Sequence, residues 1–270
     1  MRVMTGPKPI THKIEGTDTM APIMLITGGS RGIGAATARL AAQRGYDVGI
    51  SYVSNKAAAD AVCADIRKAG RRALAVQADT GSPSDIVQFF KAADDQLGRL
   101  EAFFNNAGVF LGPGSKLVDI SAERLQRVVA VNVVGAFLAA QEAARRMSTR
   151  LGGKGGSIVN MSSMAAKLGG SNEATDYGVS KGAVDTLTIG LAKEVATEGI
   201  RVNAVRPGLI YTEIHASVGD PDRVDRLKSL VPMQRGGSAD EVAEAVLWLC
   251  SPQSSYTTGV LLDVSGGRGL

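Results

Sequence analysis

The chain has two cysteines and two histidines among 270 residues. Cys63 and Cys250 lie far apart in stretches of helical composition, outside any C-x-x-C pair or histidine cluster. That argues against a disulfide framework or a zinc site. Two histidines also leave little from which to build a histidine triad or metal centre. No apolar run approaches about 18 residues, so no membrane span is expected. Neither sign of charge dominates. Lys and Arg are interleaved with acids and the net charge is +4, so nucleic acid is not an expected partner. Residues 1–20 are polar and lack the apolar segment of a secretory signal. They read as a disordered N-terminal extension, and the cytoplasm is the expected location.

Glycine, by contrast, is abundant at 33, and 44% of the chain is hydrophobic. Length and composition suit one α/β domain over residues 21–270. Short apolar runs alternate with helical segments to the end. Strands are expected at Ala21–Ile26, Val48–Val53, Ala73–Ala78, Glu101–Phe104, Gly156–Met161, Arg201–Val205 and Val260–Asp263. Helices are expected at Ala35–Arg44, Asn55–Ala69, from Pro83 with Ser82 as N-cap, from Ser121 through Asn132 to about Ser148, at Thr175–Glu198 and at Asp240–Cys250. The alternation predicts a doubly wound parallel sheet of about seven strands with helices on both faces, a Rossmann fold. The stretch Leu209–Leu230 reads as polar and loop-rich.

The first strand runs into T-G-G-S-R-G-I-G, Thr27 to Gly34. Between a strand and a helix, such glycines let a pyrophosphate approach backbone N–H groups at the helix N-terminus. The second strand ends in V-G-I-S-Y-V-S-N, without the acid that reads the ribose 2′-OH of NAD. Asp47 precedes this strand and should point elsewhere. Arg31 is free to meet a 2′-phosphate, as are Ser54, Asn55 or Lys56. The glycine loop, Asp79, Asn105-Asn106-Ala107-Gly108, Ser162/Ser163 and Pro207-Gly208 all end strands, so they share one sheet edge, where ligands bind in such folds.

Tyr177 and Lys181 stand four residues apart at the start of a helix, hence on one face. An ammonium beside a phenol is expected to lower the tyrosine pKa, and a tuned tyrosine exchanges protons with an alcohol. A serine at the preceding strand end would hold the reacting oxygen. Taken alone, Y-x-x-x-K describes many surface helices.

In order along the chain, T-G-G-S-R-G-I-G, A-D-T at Asp79, N-N-A-G, V-N-V at Asn132, N-M-S-S, Y-G-V-S-K, R-P-G-L-I-Y-T at Arg206 to Thr212 and L-D-V-S-G-G together resemble the short-chain dehydrogenase/reductase family. The resemblance covers about residues 22–267. It implies a catalytic tetrad of Asn132, Ser163, Tyr177 and Lys181. Ser163 rather than Ser162 is implied as the second of the pair, with one extra loop residue before the tyrosine. Tyr177 is then the general acid or base. Lys181 tunes it and binds the nicotinamide ribose, Ser163 binds the substrate oxygen, and Asn132 holds a water that links Lys181 to solvent. The implied cofactor contacts are Gly28, Ser30, Arg31, Gly32, Ile33 and Gly34 at the pyrophosphate and adenosine. Asp79 and Thr80 would lie at the adenine, Asn106, Ala107 and Gly108 at the adenosine ribose, and Tyr177 and Lys181 at the nicotinamide ribose. Pro207, Gly208 and Thr212 would lie at the carboxamide.

The family likeness makes the stretch at 209–235 a substrate lid, in which His215 could touch substrate but reads more readily as a surface loop residue. It also implies a homodimer or homotetramer packed through the two long helices, with Val133, Phe137, Ala139 and Ala140 at that face. The expected function is an NADP(H)-dependent oxidoreductase that interconverts a carbonyl and a secondary alcohol, with NADP(H) preferred over NAD(H). The substrate is left open among an acyl-carrier-protein thioester, a sugar or polyol, and another ketone. The alternative is a non-catalytic NADP(H)-binding regulator or redox sensor, against which the intact tetrad argues.

Overall fold

The strands form where four to eight residues can be buried on both faces at once. Ile23–Ile26 (β1) is buried at every position. Ile23 and Leu25 pack into one layer, Met24 and Ile26 into the other, as the two-residue period of a strand requires. The computed structural model describes residues 21–170 and 173–270. The extension expected over 1–20 and part of the loop before Tyr177 lie outside the described residues.

After β1 come α1 (Gly32–Gln43), β2 (Asp47–Tyr52), α2 (Lys56–Lys68), β3 (Ala73–Gln77), α3 (Pro83–Gln96) and β4 (Leu100–Asn105). They are followed by α4 (Ala122–Val129), α5 (Ala136–Met147), β5 (Gly156–Met161), α6 (Ala165–Leu168) and α7 (Thr175–Val195). The chain then forms β6 (Ile200–Pro207), α8 (Glu213–Ala216), α9 (Arg223–Leu227), α10 (Ala239–Cys250) and β7 (Leu261–Val264). The seven strands pair in the order β3-β2-β1-β4-β5-β6-β7, every pair parallel. Helices α1, α2 and α10 cover one face through Ala38, Val62, Ile66 and Val246. Helices α3, α5 and α7 cover the other through Phe89, Phe90, Ala139, Met147 and Ala192. The doubly wound sheet is as the alternation predicts, and all strands leave by one carboxyl edge.

Two local expectations are corrected. Ser82 does not cap α3. Its hydroxyl bonds Asp85 instead, and Asp85 accepts from the Asp79 N–H. The helix expected from Ser121 to Ser148 begins as expected, with Ser121 capping Arg124 N–H, but turns π-helical over Ala130–Gly135. There it presses on the loop after β3: a Cβ at Gly135 would stand 2.2 Å from Thr80 O. By length and composition the whole span Ala122–Met147 is apolar enough to cross a membrane, but it packs on β4, β5 and α7 as a core helix. The stretch at 209–235 is loop-rich as expected, with two short helices. It carries α8 and α9 around a small core of Leu209, Val224 and Val231.

Asp47 is the first residue of β2, at the edge away from the strand carboxyl ends. Its buried carboxylate accepts from Arg71 Nε at 3.1 Å, Arg72 Nε at 2.6 Å and Arg72 N–H at 2.9 Å. Burial raises its pKa, but these donors outweigh it and hold the carboxyl below its usual value. A depressed folded pKa stabilises the fold above the unfolded value, about 3.9, and the contribution fades as pH falls toward the folded one. Asp47→Asn should therefore lower unfolding free energy at pH 7, with a deficit that shrinks toward pH 3. Denaturant melts at both pH values measure this, and a deficit independent of pH would contradict it.

Candidate active site

Where β1 ends, Gly28 takes φ +65° and Gly32 φ +53°. Gly34 packs so closely that a Cβ would lie 2.4 Å from Gly28 O. The turn is held from two sides. Ser51 Oγ accepts from Gly28 N–H at 3.1 Å, and Asn106 Nδ2 donates to Thr27 O at 2.8 Å and Gly28 O at 3.0 Å. Thr27 Oγ1 returns the grip by accepting from the N–H groups of Asn106 and Ala107. Asn106 Nδ2 is thus taken up in shaping the loop. Helix α1 starts with no side-chain cap and no acid in its first turn. Its first N–H groups therefore suit an anion, which is the chemistry a pyrophosphate needs.

A cavity of about 1040 Å³ opens above the carboxyl edge. Gly28, Ser30, Arg31, Gly32, Ile33, Gly34, Asp79, Thr80, Asn106, Ala107, Gly108, Tyr177, Lys181, Pro207, Gly208 and Thr212 all line it. The structure thus brings together every residue proposed for the cofactor, along with Ser163. Beyond β2 the wall is Tyr52, Val53, Ser54 and Asn55. Asn55 caps α2 by accepting from Ala58 N–H, and Lys56 pairs with Asp60. Arg31 is exposed and its guanidinium has no partner among the described residues. Asp79, expected at the adenine, has its carboxylate occupied by Arg127 at 2.8 Å and by Gly81 N–H. Thr212 sits at the start of α8 without capping it, so its hydroxyl is left to the cavity.

At the other end, Ser162 is buried and donates to Lys181 O, whereas Ser163 lies beside the Tyr177 phenol. Lys181 Nζ donates to Met161 O at 2.7 Å and stands 5.5 Å from the Tyr177 ring centre. The tyrosine pKa is not lowered, as the spacing had suggested. Burial pushes it up to about 12, with Ser163 pulling the other way. Lys181 is pushed down to about 8 by burial, against the pull of Asp185. Asn132 lies just behind the cavity wall. Its Nδ2 donates to Val109 O and Ser180 Oγ, and its Oδ1 accepts from Val109 N–H. Only one lone pair of Oδ1 is left for the water expected there. Gly108 leaves the gap through which both are reached: a Cβ would lie 3.3 Å from Asn132 Oδ1 and from Lys181 Nζ.

Several site residues carry no motif signal and were missed. Arg124 reaches the buried Asp176 carboxylate at 2.7 Å and 3.2 Å, and also donates to Leu111 O, Gly112 O and Ser115 Oγ. It ties the start of α7, beside Tyr177, to the loop after β4. Phe110 meets the Tyr177 ring edge-on at 5.4 Å. Glu173, Arg223 and Arg268 line the same end. His215 is not a surface residue. It is half-buried in α8, lines the cavity, and its Nδ1 has no partner among the described residues. Burial, then Arg223, lowers its pKa, so it stays neutral at pH 7.

The Enoyl-(Acyl carrier protein) reductase family model matches residues 28–268. The uncharacterized oxidoreductase YgfF of Escherichia coli is 52% identical over 91% of this chain and 99% of its own length. A short-chain dehydrogenase from Burkholderia cenocepacia, solved in complex with NADP, superimposes with a TM-score of 0.85 at 34% identity, covering 92% of this chain and 98% of that one. A 3-ketoacyl-(acyl-carrier-protein) reductase from Brucella melitensis, complexed with NADH, gives 0.84 at 34% identity, again covering 92% and 98%. Matched over nearly its whole length in sequence and in fold, the chain belongs to the short-chain dehydrogenase/reductase family of oxidoreductases.

Proposed function

We propose that the protein is an NADP(H)-dependent oxidoreductase that interconverts a carbonyl and a secondary alcohol, with Tyr177 as general acid and base. The observation that carries this reading is that Tyr177, Ser163 and Lys181 face the same cavity as the glycine turn and the uncapped start of α1. The bound nicotinamide would supply the hydride in reduction and accept it in oxidation. The chain supplies the rest. Reduction of C=O to CH–OH consumes one hydride and one proton. With its pKa near 12, the Tyr177 phenol is protonated at neutral pH and can deliver that proton. Ser163 donates to the same oxygen and fixes its place. Lys181, held by Met161 O, brings a positive charge toward the phenolate left behind. Phe110 and the Arg124–Asp176 pair hold the tyrosine ring in line.

Tyr177→Phe keeps the ring and removes the proton donor. Activity should fall by about 10²- to 10⁴-fold, the worth of a positioned acid, while NADPH affinity changes little. Lys181→Ala should lose activity and also weaken NADPH binding. Assays against a carbonyl panel with fluorescence titration of NADPH separate the two effects. Near-wild-type turnover by Tyr177→Phe would refute the assignment.

The cofactor preference rests on the end of β2, where no acid stands, and on Arg31, which has no partner among the described residues. Relatives in this family hold NADP in one structure and NADH in another, so the choice is local to these residues. A charge-assisted guanidinium–phosphate contact contributes about 1.5 to 3 kcal/mol, roughly tenfold or more in affinity. NADPH should bind that much more tightly than NADH, and Arg31→Ala should weaken NADPH selectively. Equal or tighter NADH binding would contradict this.

A homodimer or homotetramer fits the exposed apolar side chains on the long helices: Val134, Phe137 and Val179 are about half exposed. Ala139 and Ala140, expected at this face, are instead wholly buried core. Light scattering at micromolar concentration should show a multiple of the chain mass; a single-chain mass alone would refute it.

A further inference from the structure

The substrate end of the cavity carries more positive charge than its own carboxylates neutralise. Arg223 is 6% exposed. Its Nη2 lies 2.5 Å from Glu173 Oε2 and its Nη1 3.6 Å from Asp220 Oδ2. Its Cζ stands 5.7 Å from the Phe110 ring centre, and Phe110 in turn packs against Tyr177. Asp220 is engaged by Arg226 at 2.5 Å. Arg268, carried by the glycine-rich segment after β7, lines the same wall. Its guanidinium donates to no described residue, and no ion pair to a described residue holds it. Of the groups lining this end, two guanidinium groups, Arg223 and Arg268, therefore face one carboxylate, Glu173.

Burial pulls the Arg268 pKa down, Glu173 pulls it up, and Arg223 adds repulsion. That is the situation of a part-buried cation short of an anion, and a bound anion would relieve it. One aromatic ring, Phe110, separates this cluster from the phenol.

Resting on the carbonyl/alcohol reading above, we propose that the substrate carries a carboxylate. It is an oxo acid or the matching hydroxy acid, with the reacting carbon at Tyr177 and the carboxylate against Arg268 and Arg223. The surplus is a single positive charge, which suits a monoanion; a phosphate monoester would bring about −1.5 to −2. Planar guanidinium groups match a carboxylate in shape as well as charge. Reduction takes the ketone carbon of the oxo acid to CH–OH, using one hydride from NADPH and one proton from Tyr177, and the carboxylate is unchanged.

The test is a homologous series of oxo acids, each assayed with NADPH beside its methyl ester. The wild type should prefer at least one acid over its ester by about tenfold or more in kcat/KM, the worth of one charge-assisted contact. Arg268→Gln should bring that ratio close to one, and Arg268→Lys should restore part of it. Arg268 is partly exposed and its side chain bonds to no described residue, so its substitution should leave the fold intact, which circular dichroism checks. A wild-type ratio at or below one throughout the series, or an unchanged ratio in Arg268→Gln, overturns the carboxylate site. If esters and simple ketones turn over without preference for acids, this proposal fails and the oxidoreductase reading stands. If no carbonyl reacts, that reading fails, and binding decides the site. Butanoate should then bind about tenfold more tightly than butanamide by calorimetry, with the difference lost in Arg268→Gln. Equal binding of the two overturns the proposal.

Discussion

The grip between the ends of β1 and β4 is the contact on which the site depends. The side chains of Thr27 and Asn106 make four hydrogen bonds across the two strand ends, two with each other's backbone and one each with Ala107 and Gly28. Buried polar groups are costly unless paired, so this reciprocal set fixes one geometry. It sets the Gly28 carbonyl, against which Gly34 has no room for a Cβ, and hence the angle at which α1 points its N–H groups. It also starts the segment after β4, which carries Gly108 over Lys181 and Phe110 against Tyr177. A shift at Asn106 would move both ends of the cavity together.

The charges at the reacting end are arranged by burial more than by pairing. Tyr177 and Lys181 share a helix face, but the ammonium is held by a carbonyl at the end of β5 and stands beside the ring. The result is a phenol near 12 and an amine near 8, both pushed toward their neutral forms by low dielectric. A phenol in that state is ready to give a proton. The Lys181 charge matters most when the phenol has lost it. The Arg124–Asp176 pair serves the same centre from outside: a fully engaged buried carboxylate next to the tyrosine pins the first turn of α7 to the loop after β4.

The sheet was legible because parallel strands buried on both faces read as continuous apolar runs, and glycine turns and strand ends mark one edge. The cavity-lining residues followed from that edge and from the family motifs. What escaped depends on contacts between distant segments. The helical pattern through Asn132 is unbroken in sequence, yet the close approach of Gly135 to Thr80 accompanies a π-helical stretch. The ion pair that holds Asp79 at the cavity wall comes from Arg127, 48 residues on, and no local pattern announces it. Proximity of Tyr177 and Lys181 suggested a lowered phenol pKa, but desolvation outweighs an ammonium engaged elsewhere. His215, Arg223 and Arg268 come from loop-like or terminal stretches with no periodicity, and only the fold gathers them.

Hydride transfer at this cavity is tested most directly with NADPH deuterated at the transferable position of the nicotinamide. The protein is incubated with a carbonyl that it turns over, and the alcohol is read by mass spectrometry and NMR. One deuterium on the carbinol carbon, with the hydroxyl proton drawn from solvent, is the expected result. Alcohol formed without deuterium at that carbon, or label released to water, would contradict a direct transfer between cofactor and substrate in this site.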